Sequence, residues 1–154
     1  MDHDYEQDLR KLAYRVGVNF DAEQEDWDLL HTNEVTVSLF YEFACDLNCP
    51  NRLYFIHCLY LFAGDFIKDY ASNLSELSIA EGSRGAVLFK LVAHAEACPD
   101  EIIKKWARRT RDLMADPSKY HYDDWASGGF AEEDDGVMKL RTEKVRRLGL
   151  NRVV

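Results

Sequence analysis

Four residues able to ligate a metal or act as nucleophiles fall into two pairs, each pair one helical turn apart: Cys45 with Cys49, and His94 with Cys98. Thiolate and imidazole are the usual donors of tetrahedral zinc. The pairs occupy equivalent ends of two similar segments. Packed helices sit about 8–10 Å axis to axis, whereas a zinc–ligand bond is only about 2.0–2.3 Å. No pair has the two-residue spacing of a zinc knuckle, so no metal is expected. The four cysteines (Cys45, Cys49, Cys58 and Cys98) read as small buried hydrophobes in a chain with its own large core.

Nucleophilic catalysis has little to start from. His57 and Cys58 are neighbours in sequence, so on a helix their side chains diverge by about 100° and cannot act on one another. There is no G-x-S-x-G elbow, no phosphate loop and no G-x-G-x-x-G turn. No catalytic residue and no cofactor is expected. An enzyme would need an unfamiliar helical site built on His57, Cys58 or His94.

The segment richest in recognition chemistry is Tyr120-His121-Tyr122-Asp123-Asp124-Trp125, followed by Glu132-Glu133-Asp134-Asp135. Aromatic rings give contact area at low entropy cost, and carboxylates pair with Arg and Lys. Tyr120, Tyr122, Asp123, Asp124, Trp125, Glu132, Glu133, Asp134 and Asp135 are therefore the candidate partner-binding residues. In the competing structural reading, the rings cover one end of the core and the acids are merely solvated.

The elements that must carry these residues are helical. No hairpin signal of the Asn-Gly or Asp-Gly type lies between alternating runs. Asp4–Arg15 predicts a first helix with Leu9, Leu12 and Ala13 inward. Asp21 is a plausible cap for a short helix to Leu30. Asn33–Leu47 carries the stripe Leu39, Phe40, Phe43, Ala44 and Leu47. Pro50 separates it from Asn51–Tyr70, which is apolar nearly all round and belongs at the centre of a domain. Leu74–Ala80 predicts a short helix before a Gly82–Gly85 turn. Ala86–Ala97 and a Pro99–Met114 helix follow, the latter with Ile102, Ile103, Trp106, Ala107 and Leu113 inward, and Asp116-Pro117 stops it. Residues 126–136 predict a mobile loop, and Val137–Leu148 a last, basic helix.

Two stretches match without gaps. Laid on Gly85–Ile103, Thr36–Tyr54 pairs Leu39 with Leu88, Phe40 with Phe89, Ala44 with Ala93, Cys49 with Cys98 and Pro50 with Pro99. Each is an amphipathic helix, a Cys-Pro turn and a second apolar helix. Such hairpins cannot bury their apolar faces alone and stack. The offset slightly exceeds the roughly 40–47-residue period of HEAT or armadillo units. The expectation is one all-α domain over residues 1–154, built of stacked helical hairpins as a short HEAT- or armadillo-like α-solenoid.

The chain of 154 residues has a formal net charge of −9. Such a surface repels nucleic acid and anionic membranes and attracts basic partners. The longest apolar run, Leu53–Ala63, is too short to span a bilayer, and the acidic N-terminus lacks a secretory signal. A cytoplasmic location is expected. Charge is uneven: Met1–Leu47 holds many acids and only Arg10, Lys11 and Arg15 as bases, while the C-terminal end is basic.

In layout and charge over most of its length, the chain resembles helical immunity proteins of bacterial toxin systems, including contact-dependent inhibition systems. The resemblance rests on no diagnostic motif and transfers no residue role. It implies a protein-binding module that neutralises a cognate basic toxin, such as a nuclease, by tight electrostatic complex formation. A general helical scaffold or adaptor is the other binding reading.

Overall fold

A helix whose residues from Leu53 to Ile67 offer no polar stripe has nothing to turn toward water. The computed structural model, which describes residues 1–70, 83–121 and 125, places that helix at the centre. Seven α-helices lie among the described residues: α1 (His3–Tyr14), α2 (Phe20–Glu23), α3 (Trp27–His31), α4 (Val37–Cys45), α5 (Arg52–Tyr70), α6 (Arg84–Glu96) and α7 (Glu101–Ala115). A 3-10 turn, Pro117–Lys119, follows, and no strand occurs among those residues. The all-α expectation holds. Leu74–Ala80, the 126–136 loop and Val137–Leu148 lie outside the described residues.

The two matched stretches are two helical hairpins, α4–α5 and α6–α7, joined through contacts of α5 with α7. Their turns share one bond, from the Cys49 amide to the Asp46 carbonyl and from the Cys98 amide to the Ala95 carbonyl, and differ after the proline. The Asn51 carbonyl accepts from Tyr54 and Phe55, opening α5. Asp100 caps α7 through its carboxylate, which accepts from the amides of Ile102 and Ile103. An Asp cap of this kind contributes about 1 kcal/mol. Arg52 ties the turns together: its Nε donates to the Ala44 carbonyl at 3.1 Å, and its Nη2 lies 3.0 Å from the Asp100 carboxylate.

The first half of the core is aromatic. Phe20 stacks on Tyr54 at 3.9 Å between ring centroids, and Phe55 meets Phe40 at 5.0 Å and Phe43 at 4.9 Å. Offset and edge contacts of this type add about 0.5–1.5 kcal/mol per pair beyond area burial. Trp106 is fully buried in the second hairpin and reaches Tyr41 of the first.

Four local expectations are corrected. Asn19, not Asp21, caps the second helix, its side chain accepting from the Ala22 amide. The predicted helix to Leu30 is two short helices, because the chain is extended at Gln24, where the first ends, and left-handed at Asp26 (φ 56°), where the second begins. Ser83 is the N-cap of α6 rather than part of a free turn, accepting from the Ala86 amide. Leu47 leaves the apolar stripe: α4 stops at Cys45, the Asp46 carboxylate accepts from the Asn48 amide in a tight turn, and Leu47 is thrown outward.

α3 is tied to α1 by one histidine. His31 Nε2–H donates to the Gln24 side-chain oxygen at 3.0 Å, which leaves Nδ1 to accept the Tyr5 hydroxyl at 2.6 Å. Burial lowers the His31 pKa below its ordinary 6.5. The folded protein therefore takes up this proton less readily than the unfolded chain. The His31 contribution is complete above about pH 6.5 and is lost as the pH falls from there through the lower folded pKa. Denaturation midpoints of the wild type and His31→Gln should converge between pH 7.5 and pH 5. A constant gap would show that the ring is not protected.

Candidate functional site

Five consecutive residues of α3, Trp27-Asp28-Leu29-Leu30-His31, are too few for all of them to face inward. Trp27 and Asp28 take the buried side. Trp27 packs on Phe20 at 4.9 Å and on Phe40 at 5.7 Å. Asp28 reaches His57 of α5, Oδ2 to Nε2 at 2.9 Å, with the side chains 1% and 2% exposed. Its Oδ1 accepts from the Leu29 amide at 2.9 Å. With those two anchored, Leu29 and Leu30 must point to solvent. Downstream, the Asn33 carboxamide accepts from the amides of Val35 and Thr36, and the buried Thr36 hydroxyl bonds the His31 carbonyl. This closed turn leaves Val35 outside as well.

The outcome extends beyond α3. Every large hydrophobic residue exposed among the described residues lies in the first 47: Met1, Tyr14, Val16, Leu29, Leu30, Val35 and Leu47, between 40% and 83% exposed. Met1 aside, they fall into two groups. Leu29, Leu30 and Val35 lie around α3, flanked in sequence by Glu25, Asp26 and Glu34. Tyr14, Val16 and Leu47 gather where α1 and α4 end, with the Tyr14 hydroxyl donating to Asp46 at 2.5 Å. That bond lowers the Asp46 pKa and holds the Tyr14 hydroxyl up to about 12.

The charge is concentrated in the same place. Residues 1–47 hold twelve carboxylates and three Lys or Arg, a balance that alone equals the net charge of the chain; the other residues hold sixteen of each sign. Two of the three bases are engaged internally, Arg10 by Glu6 and Glu42 and Arg15 by Glu23. Of the twelve carboxylates only Asp28 is buried. Apolar contact area and surplus negative charge thus share one region.

The residues singled out for other chemistry disperse. Cys49 is buried, its thiol directed at the Ala13 carbonyl, and His57 faces Asp28. Cys58 is fully buried. Cys45 and Cys98 approach each other, with Tyr41 and His94 one turn before them. Among the described residues, no three of His, Cys, Asp and Glu are placed to hold a metal ion. An open groove of about 310 Å³ beside α7 is lined by Glu96, Lys104, Arg108, Arg111 and Asp112. Its charges are of both signs, with Arg111 paired to Glu96 at 2.8 Å.

No protein-family model, curated protein or solved structure matches this chain. No helix among the described residues is long and apolar enough to cross a membrane.

The aromatic–acidic segment read from sequence is placed only in part. Trp125, expected as a surface anchor, is 1% exposed: its Nε1–H donates to the Tyr60 carbonyl, and its ring meets the Tyr60 ring at 5.2 Å. The reason is local, since Gly64 leaves a gap on α5 that a flat indole fills. Tyr120 is half-buried against the core. Tyr122, Asp123, Asp124, Glu132, Glu133, Asp134 and Asp135 lie outside the described residues. Sequence reading passed over Leu29, Leu30 and Val35. The available signal was Trp27, Leu29 and Leu30 crowded at nearly adjacent positions of one short helix, where they cannot all share a buried face.

Proposed function

We propose that this protein is a binding module that neutralises a cognate basic toxin, such as a nuclease, by tight complex formation. The carrying observation is the coincidence, within residues 1–47, of the whole negative surplus and all the exposed large hydrophobics of the described residues. Carboxylates steer a basic partner and pair with its Arg and Lys, while Leu29, Leu30 and Val35 supply the desolvated centre. Full burial of a Leu contributes about 1.5–3 kcal/mol, so this cluster is the energetic anchor and the acids set rate and specificity. The acids Asp123, Asp124 and Glu132–Asp135 form a second contact in this reading. The two hairpins act as a rigid, HEAT-like solenoid backing in the cytoplasm of the cell that makes the toxin. No catalysis, cofactor, nucleic acid or membrane enters the proposal.

The test uses the polypeptide encoded beside this one. Co-expression should restore growth to cells making that polypeptide, and the purified pair should associate more slowly as salt is raised. Leu29→Ser with Leu30→Ser should weaken binding by about 100-fold or more through faster dissociation. Glu25→Lys, Asp26→Lys and Glu34→Lys together should mainly slow association. Asp123→Lys with Asp124→Lys reads the second contact separately. If none of these alters affinity while circular dichroism is unchanged, or if growth is not restored, the reading is wrong.

A further inference from the structure

Two half-buried thiols face one another where the two hairpins meet. Cys45 is the last residue of α4, and Cys98 lies in the short connection between α6 and α7. Their approach is set on both sides. One turn earlier on each helix, the Tyr41 hydroxyl bonds His94 Nδ1 at 2.7 Å, with the rings edge to face at 5.4 Å between centroids. On the other side, the Arg52 guanidinium holds the Ala44 carbonyl and the Asp100 carboxylate at once. Cys45 follows Ala44 directly, and Cys98 precedes Asp100 by two residues, so the two lie between these clamps. The Cys45 thiol lies beside the Tyr41 hydroxyl and the Cys98 thiol. Cys49 and Cys58 are each buried, and Cys49 is turned to α1.

We propose that Cys45 and Cys98 are a dithiol that closes to a disulfide, stapling the α4–α5 hairpin to the α6–α7 turn.

The oxidant is a small-molecule disulfide such as oxidised glutathione. One protein thiolate attacks a glutathione sulfur, forming a protein–glutathione mixed disulfide and releasing one glutathione thiol. The second protein thiolate then attacks the protein sulfur of that mixed disulfide and releases the second glutathione. Two protein protons and two electrons are lost, and one small disulfide becomes two thiols. Tyr41 has a positioning role. A hydroxyl that donates to His94 Nδ1 can accept from the Cys45 S–H, which gives the leaving proton a path to the exposed imidazole. Burial pushes the Cys45 thiol up, so oxidation is slow without that path. The two sulfurs must still close to about 2 Å. Cys98 can move because it sits in a connection rather than in a helix.

The test treats the full chain with oxidised glutathione and maps its peptides without reduction. The wild type should lose two hydrogens and yield one cross-linked peptide pair, Cys45 with Cys98. Cys45→Ser or Cys98→Ser should instead retain one glutathione on the remaining partner. Cys49→Ser and Cys58→Ser should behave as the wild type. The oxidised wild type should melt on the order of 5–10 °C higher than the reduced protein, with no such gain in Cys98→Ser. Tyr41→Phe should slow closure without changing the product. Stable glutathione adducts on Cys45 or Cys98 in the wild type with no cross-link, or a cross-link through Cys49 or Cys58, would overturn the proposal. None of these readouts requires the toxin partner.

Discussion

Asp28→Ala should lower the unfolding free energy by about 1–3 kcal/mol, because it removes the carboxylate bonded to a buried histidine. The Asp28 carboxylate is 2.9 Å from His57 Nε2, and both side chains are sealed from water. Removing one member of such a pair leaves the other desolvated in a site built from Trp27, Tyr54 and Phe55. The loss is larger than that of a surface ion pair, typically about 0–1 kcal/mol, because no solvent takes over the solvation of the remaining imidazole. His57→Ala should be comparably costly. A double-mutant cycle in denaturant should give a coupling of about 1.5 kcal/mol or more, since the two side chains share one interaction. Simple additivity would mean that the pair contributes nothing as a pair. There is also a functional consequence. Asp28 fixes the rotation of α3 and hence the outward direction of Leu29 and Leu30. A milder Asp28→Asn variant that stays folded should bind the basic partner less tightly while leaving every surface residue in place.

The second large effect opposes intuition about helices. Gly64 lies inside α5, where alanine is ordinarily favoured by about 1 kcal/mol. Here a Cβ would stand 2.4 Å from Trp125 Cδ1, 2.5 Å from its Nε1 and 3.0 Å from Tyr120 Cε2. An indole cannot yield that distance by rotating a flexible end. Overpacking of this kind costs about 1–3 kcal/mol, so Gly64→Ala should be net destabilising. Gly64→Val should expel the ring, with a loss of about 3–5 kcal/mol, similar to that of Trp125→Ala. Denaturation midpoints measure the cost. Acrylamide quenching in a Trp27→Phe, Trp106→Phe background should show Trp125 newly accessible in Gly64→Val. A more stable Gly64→Ala would mean that propensity wins and the indole is not seated against α5.

Both predictions concern residues whose roles sequence could not assign. The periodicity of Leu39, Phe40, Phe43 and Ala44 identified α4 directly, because a stripe of that spacing has one burial solution. The all-round apolarity of Leu53–Ile67 likewise fixed α5 at the centre. Asn19 and Asp26 escaped because caps and left-handed turns depend on one side chain and one φ value, which periodicity does not record. Leu47 escaped because a tight turn at Asp46 ended the helix two residues early. Sequence offered Trp125 both as a partner anchor and as a cover for one end of the core, and the pocket created by a glycine sixty-one positions earlier decided for the core.

Composition and local pattern thus determined the helical class, the central helix, the Cys-Pro hairpin turns and the excess of acid in the first 47 residues. These follow from short-range physics: burial of apolar stripes, proline stops and the sum of charges. Tertiary structure alone decided which leucines would remain outside, which thiols would meet and which histidine would hold a carboxylate. Each of those outcomes requires two distant elements to arrive at the same place, and a linear sequence carries no distance between them.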